Sequence, residues 1–381
     1  MYAQDVSEVP RVQTLATKEG QRFEELDSIR GLAALVVVFH HFHFMWFFQE
    51  TQGTGLRAAI ESPLFAGRQS VILFFVLSGL VLSVPYLRGS GQSYPMFLLR
   101  RILRIYFPYL FALALAVLGN AMWHGELGRG AWAEGTWHGP VTWSAVGQHV
   151  LMIGAYNYGQ FNTAFWSLVY EMRISIIFPF LFLVIRKVPL WGALLLAATC
   201  SLAVHFTDLL GGDAAVILQT LEFVTTFICG ILIAIHLTDL GCWYRQRKAW
   251  ERIALAISFL FLYDFSRLIP GLWKLTAWHI SEWPVTVGGG GLILIGLNSG
   301  FVRRLLGSVV PRFLGRISYS LYLIHGTVLY ALAFLMNGKT SPLIAFVVYL
   351  PTALLLSTVF CFWIEEPFLR LGRRISRASR V

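Results

Sequence analysis

The sequence predicts an all-α protein, a polytopic bundle of about ten transmembrane helices with both termini in the cytoplasm. Three observations carry that prediction. Of 381 residues, 56% are hydrophobic and only 13% are charged, where a soluble domain carries roughly 25% charge. Apolar runs of about 18 residues or more, each long enough to cross a bilayer, recur along the whole chain. Lys and Arg gather in every second connection between those runs, the asymmetry expected when positive charge stays on the cytoplasmic side. The runs lack the ten-residue alternation of an outer-membrane barrel.

The expected spans are 29–48, 69–87, 105–123, 164–185, 189–206, 215–237, 252–266, 284–300, 314–336 and 342–364. The seventh, IALAISFLFLYDF, is the weakest because it is short. The segment 141–158, VTWSAVGQHVLMIGAYNY, is moderately apolar but interrupted by Gly147, Gln148 and His149. It reads as an interfacial or re-entrant piece, since an eleventh span there would destroy the charge alternation. One side receives Arg11, Lys18, Arg22, Arg88, Arg100, Arg101, Arg104, Arg186, Lys187, the loop YRQRKAWER, Arg303, Arg304, Arg312 and the tail RLGRRISRASR. The other receives Arg57, Arg68, Arg129, Arg267, Lys274 and Lys339. The chain therefore divides into an N-terminal cytoplasmic tail (1–28), a membrane domain (29–364) and a basic C-terminal cytoplasmic tail (365–381). In the long connection 124–163, Trp132, Trp137 and Trp143, with Trp123 just before it, suit an interfacial aromatic belt on the outer face.

The net charge of +10 does not point to nucleic acid, because the arginines are spread over short loops between spans. Cys200, Cys229 and Cys361 lie in apolar runs and Cys242 in a basic loop, with no CxxC, so neither a disulfide framework nor a metal site is expected. No cleavable signal peptide is expected either: the first 25 residues are polar and no small-residue cleavage site follows the first apolar run.

Four stretches carry ionisable groups into the membrane. In LDSIRGLAALVVVFHHFHF, Arg30 and His41 are eleven residues apart, which returns to within about 20° of the same helix direction at a rise of roughly 16 Å. Arg30 sits at the membrane edge and His41 near mid-depth, while His40 points about 100° away and is not expected to share that face. Asp27 can pair with Arg30 or cap the helix. Arg30 alone could be a topogenic anchor, but a histidine at depth is costly and usually faces a cavity or a partner. In FLLRRILRIYFPYL, Arg101 and Arg104 are i,i+3 neighbours; they suit phosphate binding or, equally, a stop-transfer cluster. In FWSLVYEMRISIIFPFL, Glu171 and Arg173 are too close in sequence to face each other, so each seeks a partner elsewhere in the bundle. Trp166 and Tyr170, four apart, can line one cavity. In FLGRISYSLYLIHGTVL, the hydroxyls of Ser318, Tyr319, Ser320 and Tyr322 suit helix packing or a site, and His325 follows Tyr322 by three residues. The stretch FWIEEPFLRLGRR reads as a helix stop with charged flanks, closed by Pro367.

Taken in order, these stretches resemble membrane acyltransferase family 3, multi-pass enzymes that decorate bacterial glycans and other acceptors. LDSIRGLAALVVVFHH is similar to the family's opening segment, with its Arg-x10-His on Arg30 and His41. FFVLSGLVL is similar to its second-span signature, Arg101–Arg104 to its RxxR element, and FWSLVYEMR to the segment bearing its internal glutamate, here Glu171. LGRISYSLYLIH and IEEPFLRLGRR resemble its ending. Met172-Arg173-Ile174 departs from the aromatic pair usual after that glutamate, which bears on the local pocket and on acceptor choice. The extracytoplasmic hydrolase-like domain that some relatives carry is not expected.

The resemblance implies an enzyme of the bacterial inner membrane that transfers an acyl group, often acetyl, from acyl-coenzyme A to a hydroxyl of a surface, exported or lipid-linked glycan. No permanently bound cofactor is implied; the partners are membrane lipids, acyl-coenzyme A, the glycan acceptor and polysaccharide biosynthesis machinery. His41 would be the base or a covalent acyl carrier, and Glu171 would orient His41 or bind the sugar. Arg30, Arg101 and Arg104 would hold the donor's phosphates, with Asp27, His40, Trp166, Tyr170, Tyr322 and His325 organising the site. A proton-coupled transporter or channel is the competing reading, served by the same intramembrane His, Glu and Arg. It lacks support from paired, broken helices in corresponding halves of the chain.

Overall fold

The computed structural model describes residues 23–47, 62–89, 93–268, 282–336 and 340–378. Among these there is no strand. Ten long helices stand where spans are expected: α1 (Glu24–Phe47), α2 (Gly67–Leu87), α3 (Tyr94–Met122), α4 (Phe165–Lys187), α5 (Leu190–Ala203), α6 (Gly212–Ile235), α7 (Ala249–Leu268), α8 (Glu282–Asn298), α9 (Val309–Leu335) and α10 (Pro342–Phe360).

Seven of them are long and apolar enough to cross a membrane: α1, α2, α3, α4, α6, α9 and α10 with its continuation. The other three differ from the expected spans for identifiable reasons. The fourteen residues of α5 reach only about 21 Å, short of a hydrocarbon core of about 30 Å, before a 3-10 turn extends the helix to Phe206. Glu251, Arg252 and Asp264 interrupt the apolar character of α7. After α8 the chain turns by 90° into the short helix Gly300–Leu306, where Ser299 caps the new N-terminus through Val302 N–H. Of the charges used to assign sides, Arg11, Lys18, Arg22, Arg57, Lys274, Lys339 and Arg380 lie outside the described residues.

Two prolines leave a common signature. A π-helical turn, Ile102–Tyr106, interrupts α3 just before Pro108. A second, Cys361–Glu365, follows α10 just before Pro367. Proline has no N–H and its ring collides with the carbonyl four residues back; one wider turn relieves both problems while the backbone stays helical. The acids and Pro367 therefore do not stop the helix, as the sequence led us to expect. It runs on through Glu366–Ala378, and that segment packs back on α3: Phe368 stacks on Phe107 with centroids 5.0 Å apart, and Ser376 Oγ lies 3.4 Å from Met96 Sδ.

The core of the bundle is the crossing of α1 with α9. Gly31 and Gly315 meet there. A Cβ on Gly31 would strike the backbone of Gly315, and one on Gly315 would strike the backbone of Asp27. Small residues let two membrane helices approach closely enough for backbone packing to hold them together. Gly79 and Gly230 make the equivalent contact between α2 and α6. The first crossing fixes the register of α1 against α9, and through it the relative positions of His41 and His325.

The segment 141–158 is not a span. It forms a nine-residue helix, Trp143–Leu151, capped by the Thr142 hydroxyl and ended by Met152 in the left-handed conformation. Of the four tryptophans expected in an interfacial belt, Trp143 is 90% exposed but Trp137 is fully buried. Its indole N–H donates to the Phe161 carbonyl (2.8 Å), and its backbone takes a positive φ of 56°. Trp137 is thus the plug that organises the connection 124–163, packed over Gly119.

Candidate functional site

At the end of the bundle where α1 and α9 begin, a narrow chamber of about 110 Å³ opens among α1, α2, α3, α4 and α9. Arg30, Arg101, Arg104 and Arg316 line it, together with Asp27, Glu171 and Glu365. Arg101, buried ahead of the π turn, donates from Nη2 to Glu171 Oε1 at 2.9 Å. Its Nε and Nη2 also donate to Ser175 Oγ at 3.2 and 3.0 Å. Ser78 Oγ donates to the same Glu171 oxygen at 3.2 Å. Arg104, inside the π turn, is exposed, so the two arginines reach the chamber from different depths. Arg30 is paired with Asp27 at 3.4 Å, as the sequence spacing suggested. Ser320 donates to Glu365 and Tyr319 to the Ile105 carbonyl (2.8 Å), so these hydroxyls serve packing.

Towards the other end of α1 lies a wider cavity of about 370 Å³. It is lined by His40, His41, Arg68, Trp132, Trp166 and Tyr322, among others. His41 Nδ1 is 2.9 Å from His325 Nε2. The two rings lie within 19° of coplanar with centroids 5.1 Å apart, an edge-to-edge arrangement with the bond in the ring planes. His325 Nδ1 is 2.9 Å from the Leu321 carbonyl. Trp132 lies over His41 with ring centroids 5.3 Å apart, and Asn157, Thr136 and Thr163 add polar groups to the wall. Chamber and cavity share Val71 and Tyr322. The Tyr322 hydroxyl, which borders both, is hydrogen-bonded to Ser167 Oγ at 2.7 Å.

Two expectations change. His40 does share the cavity of His41, because the opening wraps far enough round α1 to touch neighbouring positions. Its Nδ1–H donates to the Phe65 carbonyl at 2.6 Å. Glu171 does not orient His41; its carboxylate belongs to the arginine chamber, and the partner of His41 is His325. Trp166 lines the histidine cavity, whereas Tyr170 turns into the core, donating to Gln219 Oε1 at 2.8 Å. Arg173 leaves the site altogether. It donates to the carbonyls of Met152 (3.0 Å) and Gly154 (3.3 Å) and so pins the short helix Trp143–Leu151 to the bundle. On that helix His149 is fully buried, and burial lowers its pKa, so it serves there as a neutral packing residue whose Nδ1–H donates to the Ala145 carbonyl.

Ser78, Ser167 and Ser175 were missed. Ser167 and Ser175 each lie four residues from Glu171, hence on its helix face, and that spacing was the available signal. Arg68, held by Glu282 (Nε to Oε1, 2.7 Å), and Trp132 carried no comparable signal. Among the described residues no set of three or more His, Cys, Asp or Glu side chains converges as metal ligands would. The arginine chamber is the part with the chemistry to hold phosphates.

Comparison with known proteins bears on this geometry. The family model for acyltransferase family 3, described as an acyltransferase domain, matches residues 23–365. The protein Acyltransferase MdmB of Streptomyces mycarofaciens is 26% identical over 344 residues, covering 84% of this chain and 82% of that protein. No solved structure matches.

Proposed function

Since the chain belongs to membrane acyltransferase family 3, and is therefore a multi-pass membrane acyltransferase, we propose that it moves an acyl group, acetyl foremost, from acyl-coenzyme A to a hydroxyl of a surface or exported glycan. One observation carries the reading: a narrow arginine-lined chamber and a wider histidine-lined cavity lie back to back, with Tyr322 and Val71 lining both. A coenzyme A thioester is long and thin, with phosphates at one end and the reacting carbonyl at the other. Arg30, Arg104 and Arg101 hold the phosphate end by charge-assisted hydrogen bonds. The pantetheine arm then passes Tyr322 and delivers the thioester to His41.

The acceptor enters from the other side. Trp132 and Trp166 offer aromatic faces for a sugar ring, and Asn157, Thr136 and Thr163 offer hydrogen bonds for its hydroxyls. His41 removes the proton of the bound hydroxyl as the oxygen attacks the thioester carbon. The C–S bond breaks, and the proton on His41 passes to the sulfur, so the products are the ester and free coenzyme A. The test is mass spectrometry of surface glycans from cells with and without the protein, fed isotope-labelled acyl precursor. Labelled ester that depends on the protein supports the reading. Solute flux without any acylated product would favour the transporter.

We place the enzyme in the bacterial inner membrane with ten crossings and both termini cytoplasmic. The arginine chamber, the start of α1, the start of α9 and the helix Glu366–Ala378 share one end of the bundle. Arg303–Glu25 (2.9 Å) and Arg312–Glu24 (3.2 Å) join them at its rim. Coenzyme A is cytoplasmic, so that end faces the cytoplasm. Reporter fusions after Val381 and near Gly91, between α2 and α3, are expected to read cytoplasmic. A periplasmic reading at either point would overturn this topology.

A further inference from the structure

We infer that His325 is a positioning residue that fixes the tautomer of His41, so that the catalytic base is the His41–His325 pair rather than His41 alone. The inference rests on the acyl-transfer reading above and deepens it.

A neutral imidazole has one N–H donor and one lone-pair acceptor. His325 Nδ1 lies 2.9 Å from the carbonyl of Leu321, one turn back on α9. A carbonyl only accepts, so His325 Nδ1 carries the proton and His325 Nε2 carries the lone pair. That lone pair faces His41 Nδ1 at 2.9 Å. Two lone pairs cannot make this bond, so His41 Nδ1 carries its proton, and the free lone pair of His41 is on Nε2. Every link in the chain is fixed in direction by the Leu321 carbonyl at its end. His325 is fully buried, leaving no water to compete for its nitrogens, and His41 is 7% exposed. The Tyr349 hydroxyl donates to the backbone carbonyl of His325 at 3.4 Å.

The pairing does two things for transfer. It presents His41 Nε2, rather than an N–H, to the acceptor hydroxyl. It also stabilises the imidazolium that forms when Nε2 takes the hydroxyl proton, because the Nδ1–H···Nε2 bond then becomes charge-assisted. The oxygen–acyl bond forms, the carbon–sulfur bond breaks, and His41 Nε2–H protonates the departing thiolate, returning the pair to its starting state. The second effect exists only once charge has developed, so its loss falls on kcat rather than on KM.

The test is a series at position 325 in the full-length protein. His325→Leu removes the acceptor. His325→Asn keeps a donor for Leu321 but is too short to reach His41. His325→Gln carries an amide oxygen where Nε2 stood. Leu and Asn are expected to lower kcat by roughly a hundredfold or more, with KM for donor and acceptor little changed. Gln is expected to recover roughly tenfold or more of that loss by restoring the acceptor. Wild-type kcat in the Leu and Asn variants would overturn the inference. So would equal losses in all three variants that follow a falling melting temperature, since His325 would then be only a packing residue. Nitrogen NMR of [15N]histidine-labelled protein reads the tautomer without any turnover, with the His41 signals identified from His41→Gln. Wild type should show Nδ1 protonated and Nε2 bare at His41, and His325→Leu should lose that preference. A protonated Nε2 in wild type overturns the inference even if transfer occurs. A bare Nε2 in a protein that makes no ester would instead sink the acyl-transfer reading and leave the pairing intact.

Discussion

His41→Ala is expected to lower acyl transfer by roughly 10²–10⁴-fold, the usual value of a positioned general base, while leaving the amount of protein in the membrane and its affinity for acyl-coenzyme A close to wild type. The residue lines the wide cavity, away from the arginines proposed to hold the donor, so the substitution should remove chemistry without touching the proposed phosphate contacts. It does vacate a bond to His325, whose Nε2 is then a buried acceptor without its partner, a cost of about 1–3 kcal/mol. The variant should therefore melt lower but remain folded. His40→Ala is the control. His40 lines the same cavity, but its Nδ1–H is committed to the Phe65 carbonyl, so its loss should appear mainly in KM for the acceptor. The measurement is labelled-acyl incorporation into the acceptor at matched membrane levels. Full activity in His41→Ala, or a kcat loss confined to His40→Ala, would move the base elsewhere.

What could be read from the sequence was local. Each of the ten apolar segments became a helix, because an apolar run in a membrane has few other ways to satisfy its backbone. The Arg30–Asp27 pair and the shared inner face of Arg30 and His41 followed from helical periodicity. The same geometry excluded an Glu171–Arg173 pair, and the structure sends those side chains to Arg101 and to the Met152 and Gly154 carbonyls. Periodicity can say what a residue does not face, but it cannot name a partner on another helix. Glu171 meets Arg101 across 70 residues and His41 meets His325 across 284, and both meetings depend on how helices cross. The crossing itself left a faint trace in Gly31 and Gly315. The π turns precede Pro108 and Pro367, but Pro85, Pro179 and Pro351 sit inside regular α-helix, so a proline in the sequence does not by itself announce such a turn.

The second large effect is expected at Arg101 and Glu171, where structural and binding roles coincide and can be separated. The two side chains are 9% and 19% exposed, so Arg101→Met strands a carboxylate within the bundle, with the Ser78 hydroxyl still donating to it at 3.2 Å. Breaking a buried pair from one side costs about 3–5 kcal/mol, and the single variant should reach the membrane poorly and melt early. Replacing a buried pair by apolar groups of similar size is often neutral or stabilising. Arg101→Met with Glu171→Leu should therefore recover much of the lost melting temperature in detergent. Donor binding should not recover. Arg101 Nε and Nη2 are engaged by Ser175 and Glu171, which leaves Nη1 for a phosphate, and a charge-assisted bond of that kind contributes about 1.5–3 kcal/mol. The double variant should thus be well folded and bind acyl-coenzyme A roughly 10- to 150-fold more weakly. Thermal unfolding and equilibrium binding on the same preparations separate the outcomes. Wild-type affinity in a stable double variant would make Arg101 a structural cation only and leave the phosphates to Arg30 and Arg104. A double variant no more stable than Arg101→Met would mean that the unpaired hydroxyls of Ser78 and Ser175, rather than the lone carboxylate, set the cost.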